Sequence, residues 1–338
     1  MPDLAATDDA TRSTATPGSG ELELRLEQHR VELTGYCYRM LGSAFEAEDA
    51  VQETLVRAWR GFDRFEGRSA LRSWLYRIAT NVCLDMLNGR QRRARPMDLA
   101  SPSTAESPLG AALPEVTWIE PIPDGRVLPA DGDPAELAVS RETVRLAFVA
   151  ALQHLPARQR AVLILREVLR WKADEVAELL DTTVASVNSA LQRARSTLAD
   201  RNVTAADPVE PKDDAQRALL ARYVDAFVRY DLDSIVSLLH EDVEQSMPPY
   251  ELWLRGHADI RKWWLGPGIG CRGSQLVPTV ANGLPAFGQY KPSGLGGSLE
   301  PWALQVIEIS AGRISGMTFF LDTARLFPLF GLPPRPEP

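Results

Sequence analysis

Residues 173–199 read Ala-Asp-Glu-Val-Ala-Glu-Leu-Leu-Asp-Thr-Thr-Val-Ala-Ser-Val-Asn-Ser-Ala-Leu-Gln-Arg-Ala-Arg-Ser-Thr-Leu-Ala. Val176, Leu179 and Leu180 recur at the period of a helix that buries one face. Asp181, Thr182 and Thr183 are turn formers. Beyond them Val184, Val187, Leu191, Ala194 and Leu198 resume the same period. The stretch predicts two short helices joined by a tight turn, a helix-turn-helix. Its second helix turns Ser186, Ser189, Gln192, Arg193 and Arg195 outward. Small polar side chains near a helix start suit the floor of a major groove, and arginines further along suit phosphates. An ordinary helical hairpin is the competing reading of this spacing.

Upstream, helical period runs from Ala135, with Leu146, Val149, Leu152 and Leu155, until Pro156 separates one helix from the next. Residues 138–203 thus form one helical module. Residues 96–137 carry Pro96, Pro102, Pro108, Pro114, Pro121, Pro123, Pro129 and Pro134. They predict an extended, acidic linker. Residues 21–95 return to helical stripes, Val51, Leu55, Trp59 and Phe62 in one and Leu71, Leu75, Ile78, Val82 and Met86 in another. A bundle of three or four helices is expected there. Residues 1–20, rich in Thr, Ala, Asp and Gly, read as a disordered tail, and 204–212 as a second linker. The module over 213–330 opens with two amphipathic helices and then turns to short apolar runs such as Ala303–Ile309, predicting an α+β domain with an antiparallel sheet; 331–338 is a tail.

The chain of 338 residues has a formal net charge of −8, which argues against nucleic acid until it is counted by segment. Residues 60–95 are +6, 138–203 are +3, the 96–137 linker is −7 and the chain from 204 on is −4. Charge of alternating sign points to modules with different partners. Arg68, Arg72, Arg77 and Asn81 lie on or beside one long helix with Phe62, Phe65, Trp74 and Tyr76, a mixture suited to unstacked single-stranded bases. Glu48, Asp49, Gln52 and Glu53 form an acidic face upstream. No run of apolar residues is long enough to cross a membrane, and the N-terminus has no secretory pattern. Cys37, Cys83 and Cys271 fit no metal or redox spacing and read as reduced thiols of a cytoplasmic protein. No cofactor and no metal are expected.

Two segments together resemble the sigma-70-type initiation factors. Asp49-Ala-Val-Gln-Glu-Thr-Leu-Val-Arg-Ala-Trp and Phe65–Asp85 are similar to the second conserved region, and Leu155-Pro-Ala-Arg-Gln-Arg-Ala-Val-Leu with the helix-turn-helix is similar to region four. Without recognisable regions one and three, the chain resembles the extracytoplasmic-function (ECF) group over about residues 22–200. The resemblance implies a protein that binds core RNA polymerase, recognises the −10 and −35 promoter elements and promotes DNA melting. It implies that Glu48, Asp49, Gln52 and Glu53 dock on the β′ clamp helices, and that region four meets the β flap. It places Phe65, Arg68, Ser69, Arg72, Trp74, Arg77 and Asn81 at the −10 element. Thr183, Ser186, Asn188, Ser189, Gln192, Arg193 and Arg195 fall at the −35 element. The turn has Asp181 where many members have Gly, and Asn188 and Ala190 stand where they carry basic residues. The acidic linker is expected to lie in a positively charged channel of the polymerase.

Typical members end near residue 200, and the remaining 130 or so resemble the SnoaL-like, polyketide-cyclase-like fold, a conical sheet wrapped by helices. The implied fold class is multidomain: two all-α sigma domains plus a C-terminal α+β SnoaL-like domain. Tyr250, Trp253, Trp263, Trp264 and Trp302 are the candidate lining of a ligand pocket, with plain core packing as the alternative. His240, Asp242 and His257 are the tempting acid–base groups, and nothing in the sequence pairs them, so no catalytic residue is expected. The expected role of this domain is regulatory, with the apolar tail from Asp322 docking back on the sigma regions. The competing functions are a DNA-binding regulator fused to a ligand-converting cyclase-like enzyme, and a repressor that works without polymerase.

Overall fold

A computed structural model describes residues 19–65, 70–129, 133–199, 214–294 and 297–336. The 204–212 linker lies outside these residues, as does the expected tail over 1–20 except Ser19 and Gly20, which open the first helix.

The first module is four helices, α1 (Ser19–Glu27), α2 (Arg30–Leu41), α3 (Ala44–Gly61) and α4 (Leu71–Leu87). α2 is its centre: Leu33, Tyr36, Cys37 and Met40, at helical spacing, are fully buried. Ser43 caps α3 by accepting the Glu46 N–H at 3.2 Å. The Tyr36 hydroxyl meets that of Thr80 at 2.7 Å and ties α2 to α4. Cys37 and Cys83, far apart in sequence, meet in this core as free buried thiols, and their hydrogen bond together with burial pushes the Cys83 thiol well above its usual range.

The proline-rich segment is irregular, with only α5 (Pro96–Leu99), a 3₁₀ turn at Glu115–Thr117 and α6 (Asp124–Val127). It is not a free tether. Trp118, Ile119 and Ile122 are buried, and at about 1.5–3 kcal/mol for each large apolar side chain detaching them costs several kcal/mol. Its backbone is stitched to both neighbours. Glu120 N–H donates to Gly42 O of the first module at 3.0 Å, while Ser103 and Leu113 N–H donate to Trp253 O and Pro249 O of the third at 2.8 and 2.9 Å. An acidic, proline-rich segment with three large apolar side chains is more stable laid against protein than in water.

The second helical module comprises α7 (Pro134–Glu142), α8 (Leu146–Gln153), α9 (Ala157–Leu163) running into a π turn at Ile164–Val168, α10 (Ala173–Leu179) and α11 (Val184–Ala199). The third begins with α12 (Asp214–Arg229) and α13 (Leu232–Leu238). Then come β1 (Leu239–Ser246), β2 (Trp253–Arg255), α14 (His257–Leu265), β3 (Gln275–Ala281), β4 (Leu284–Pro292), β5 (Leu299–Ser310), β6 (Arg313–Phe320) and α15 (Thr323–Leu329). The sheet order is β2-β1-β6-β5-β4-β3, with β1 parallel to β6 and all other pairs antiparallel. One core packs α12–α14 on the sheet and takes in Ala105 of the linker. A second runs unbroken through both helical modules into Ala281, Leu284, Tyr290 and Leu332 of the third.

Candidate nucleic-acid interface

The helix-turn-helix forms from local signals. α10 starts with Glu175 accepting the Lys172 N–H at 2.7 Å. Thr183 caps α11, its hydroxyl accepting the Ser186 N–H at 3.1 Å. Asp181 sits between them at φ 50°, the left-handed conformation, which explains a turn position that favours Gly and tolerates Asp. Val187, Leu191 and Ala194 are buried, and Thr183, Ser186, Asn188, Ser189, Gln192 and Arg193 are exposed, as the stripe requires. Arg195 is also exposed but pairs with Glu167 at 2.5 Å.

In the first module Phe62, Phe65 and Trp74 form an aromatic cluster, with Phe65 and Trp74 centroids 4.9 Å apart. Arg68 and Ser69 lie outside the described residues. Asn81 is exposed on α4. Arg72 and Arg77 are not free. Arg77 donates to the Glu178 carbonyl of α10 at 2.9 Å. Arg72 donates to Glu32 at 2.7 Å and lies 5.4 Å from the Trp171 ring, which itself packs 5.0 Å from Tyr76. The helix assigned to one DNA element is thus seamed to the module assigned to the other. Elements named −10 and −35 lie about 25 base pairs apart by position, on the order of 80 Å at ~3.4 Å per pair. The seam holds the two modules in direct contact, a closed arrangement.

The acidic face of α3 divides. Asp49, Gln52 and Glu53 are exposed, Glu53 pairing with Arg57 at 2.7 Å, and Gln52 borders a groove of about 380 Å³ that includes the half-exposed Trp59. Glu48 instead faces Arg126 of α6 at 3.1 Å and is partly covered.

The third module meets the other two at a point the sequence reading did not single out. β3 and β4 are joined by Asn282-Gly283, with φ 56° and 71°, as a two-residue hairpin turn demands. The buried Asn282 amide donates to the Tyr38 hydroxyl at 2.6 Å and to Val144 O at 2.7 Å, and its oxygen accepts the Ile122 N–H at 3.0 Å. One side chain therefore touches the first module, the linker and the second module. Gly283 is required twice over: a Cβ there would lie 3.0–3.2 Å from Arg141. The Asn-Gly dipeptide between apolar runs was the available signal. Nearby, Arg325 of α15 pairs with Glu115 and lies 3.9 Å from the Phe45 ring centroid. Burial raises the Glu120 carboxyl to about 7, although Ser43 donates to it and Arg93 stands near.

The five aromatic pocket candidates do not converge. Trp263 and Trp264 belong to the core, Trp264 donating to Gln245 at 2.6 Å. Trp253 is covered by the linker, its indole donating to Ala100 O at 2.9 Å. Trp302 is on the surface under Lys291, and Tyr250 is half-buried. Bulky rings were packed by the fold instead of lining a space. His257 contacts His240 O at 2.9 Å, and Asp242 lies exposed beside Arg255. Among the described residues no cluster of His, Cys, Asp and Glu has metal-binding geometry, and no helix is long and apolar enough to cross a membrane. The tail docks on its own sheet, with Leu332 against Gly288 and Tyr290 donating to Pro333 O at 2.7 Å, and through Arg325 it reaches Glu115 of the linker and Phe45 of the first module.

A helix-turn-helix with a polar outer face, an aromatic and arginine-bearing helical module and an appended α+β domain define a sigma-70-type initiation factor with an added C-terminal domain. Residues 26–93 match sigma-70 region 2, 145–198 match sigma-70 region 4, and 220–317 match the SnoaL-like domain. The chain is 45% identical over 329 residues to the ECF RNA polymerase sigma factor SigG of Mycobacterium tuberculosis (strain ATCC 25618 / H37Rv), covering 96% of this chain and 88% of that protein. It is 26% identical over 308 residues to the probable ECF RNA polymerase sigma factor SigI of the same strain, covering 89% of this chain and 93% of that protein. The crystal structure of the M. tuberculosis extracytoplasmic function sigma factor SigJ shares the fold, with TM-score 0.58 and 22% identity over 93% of this chain and 99% of that one. The chain belongs to the ECF RNA polymerase sigma factors. That kinship over nearly its whole length does not favour the fused-enzyme alternative.

Proposed function

We infer that this sigma factor rests in the closed form, and that its SnoaL-like domain controls opening. Asp49, Gln52 and Glu53 dock on the β′ clamp helices, and the second module meets the β flap. Phe65, Arg68, Ser69, Arg72, Trp74, Arg77 and Asn81 engage the −10 element, while Ser186, Asn188, Ser189, Gln192 and Arg193 read the −35 element. The protein works in the cytoplasm, where its DNA is, and the third domain acts through contact and not catalysis. The observation that carries the reading is Asn282, whose single side chain joins both DNA-reading modules and the linker. Opening must break those bonds together with the Arg77–Glu178 seam.

The test is run-off transcription with purified core polymerase, comparing the full chain with Asn282→Gly, which keeps the left-handed backbone but removes the side chain. Higher initial transcription by the variant, with wild-type affinity for core, supports control by closure. Failure of the full chain to bind core at all removes the docking assignment.

A further inference from the structure

A cleft of about 510 Å³ opens where residues 90–93, Val116 and Thr117 of the linker, and the junction of α8 and α9 meet. Four arginines line it, Arg90, Arg92, Arg93 and Arg160, against one carboxylate, Glu46. Arg90 and Arg93 share that carboxylate, Arg93 at 3.0 Å, and the buried Arg93 also donates to the Glu115 and Trp118 carbonyls at 3.0 and 2.7 Å. Arg92 is exposed and, among the described residues, meets the His154 ring. Arg160 is 4% exposed. It donates to the carbonyls of Met40, Gln153 and Leu155 and to the Gln153 side chain, all neutral, and its Nε has no partner. A buried guanidinium with only neutral acceptors is uncompensated charge.

We propose that this cleft binds a small diphosphate-bearing anion. Arginine forks match phosphate oxygens in pairs, and the two exposed forks of Arg90 and Arg92, backed by the buried charge of Arg93 and Arg160, favour a group with more than one phosphate over a monoanion. The volume is that of a small-ligand pocket and is walled by three segments of chain, which admits a nucleotide-sized molecule and excludes duplex DNA. Arg90, Arg92 and Arg93 come from the first module and Arg160 from the second, so an occupant bridges them and stabilises the closed arrangement by mass action. The cleft is built from both modules, so the proposal rests on the closed-form reading; scattering that shows an open chain removes that reading, whereas a closed chain that binds no diphosphate removes this one.

The experiment is calorimetric titration and thermal melting of the full chain, without polymerase or DNA, using inorganic pyrophosphate, GDP, sulfate and guanosine. Pyrophosphate and GDP are expected to bind and raise the melting midpoint, with sulfate and guanosine inactive. GDP binding tenfold more tightly than pyrophosphate assigns a nucleotide, and equal affinity assigns the bare diphosphate. Arg92→Gln and Arg90→Gln, both at exposed positions, should each weaken binding about tenfold, which is ~1.4 kcal/mol. No binding of either diphosphate at millimolar concentration overturns the proposal, as does binding that neither variant weakens. Binding of duplex DNA that Arg92→Gln weakens, with no response to pyrophosphate, overturns it too and marks the arginines as a DNA contact.

Discussion

The Asn282 side-chain amide donates to the Tyr38 hydroxyl at 2.6 Å, joining residues 244 positions apart. Tyr38 in turn donates to the Glu120 carbonyl at 2.7 Å, so the last module reaches the first through a continuous run of hydrogen bonds. Asn282→Asp keeps the acceptor for the Ile122 N–H but loses both donations, leaving Val144 O and the Tyr38 hydroxyl short of a partner. Each unsatisfied buried group costs about 1–3 kcal/mol. Asn282→Asp is therefore expected to separate the modules more than Asn282→Gly, which leaves room for water. Small-angle scattering of the two proteins orders them, and equal compactness contradicts the assignment.

The seam between α4 and α10 has an unequal distribution of strength. The Arg77–Glu178 carboxylate pair, at 3.8 Å with both partners largely exposed, is worth ~0–1 kcal/mol, whereas the backbone bond at 2.9 Å survives truncation of Glu178. Glu178→Ala should leave the modules together. Trp171→Ala removes a buried ring packed on Tyr76 and Arg72 and should cost ~3–5 kcal/mol. Energy transfer between dyes at Asp85 and Ser196 reports both; comparable separation in the two variants would place the seam elsewhere.

Glu120 gives the closed form a pH dependence of definite sign. Its carboxyl, raised by burial to about 7, holds a proton more firmly folded than unfolded. The stability this contributes is full below the ordinary value of 4.5 and declines as pH rises to about 7. Glu115, lowered chiefly by its Arg325 hydrogen bond, acts in the opposite direction at the acid end. The melting midpoint should fall between pH 5 and pH 8 more steeply for wild type than for Glu120→Gln. Parallel curves for the two proteins count against Glu120 as the titrating group.

On the recognition helix, Arg193 is exposed and makes no ion pair among the described residues, while Arg195 is held by Glu167 at 2.5 Å. Arg193→Gln should reduce −35-dependent run-off by about 5–150-fold, using ~1–3 kcal/mol for a good base-edge contact. Arg195→Gln should reduce it less. Templates with an intact or scrambled −35 element separate base reading from general binding, and an equal loss on both templates would reassign Arg193 to phosphate.

What could be read from the sequence was what is encoded locally. The stripe Val187, Leu191, Ala194 fixes which face of α11 is outward, because each residue is a turn or so from the next. The left-handed Asp181 was legible as a departure at a Gly position. The bonds that make the closed form were not legible, because Tyr38, Ile122 and Val144 carry no mark of an asparagine far along the chain. Counting prolines and acids in 96–137 passed over Trp118, Ile119 and Ile122, whose burial decides where the segment lies. The third module's aromatics misled for a related reason: ring size predicts burial, and says little about whether a space is left beside the ring.

The hairpin carrying Asn282 has a consequence for the newborn chain. Synthesis runs from the N-terminus, at ~5–20 residues per second, and domains fold as they emerge. Both promoter-reading modules are complete some seconds before the ribosome joins Asn282. During that interval nothing from the third domain restrains them, and a transcript cut short before the hairpin would yield a permanently unclamped factor.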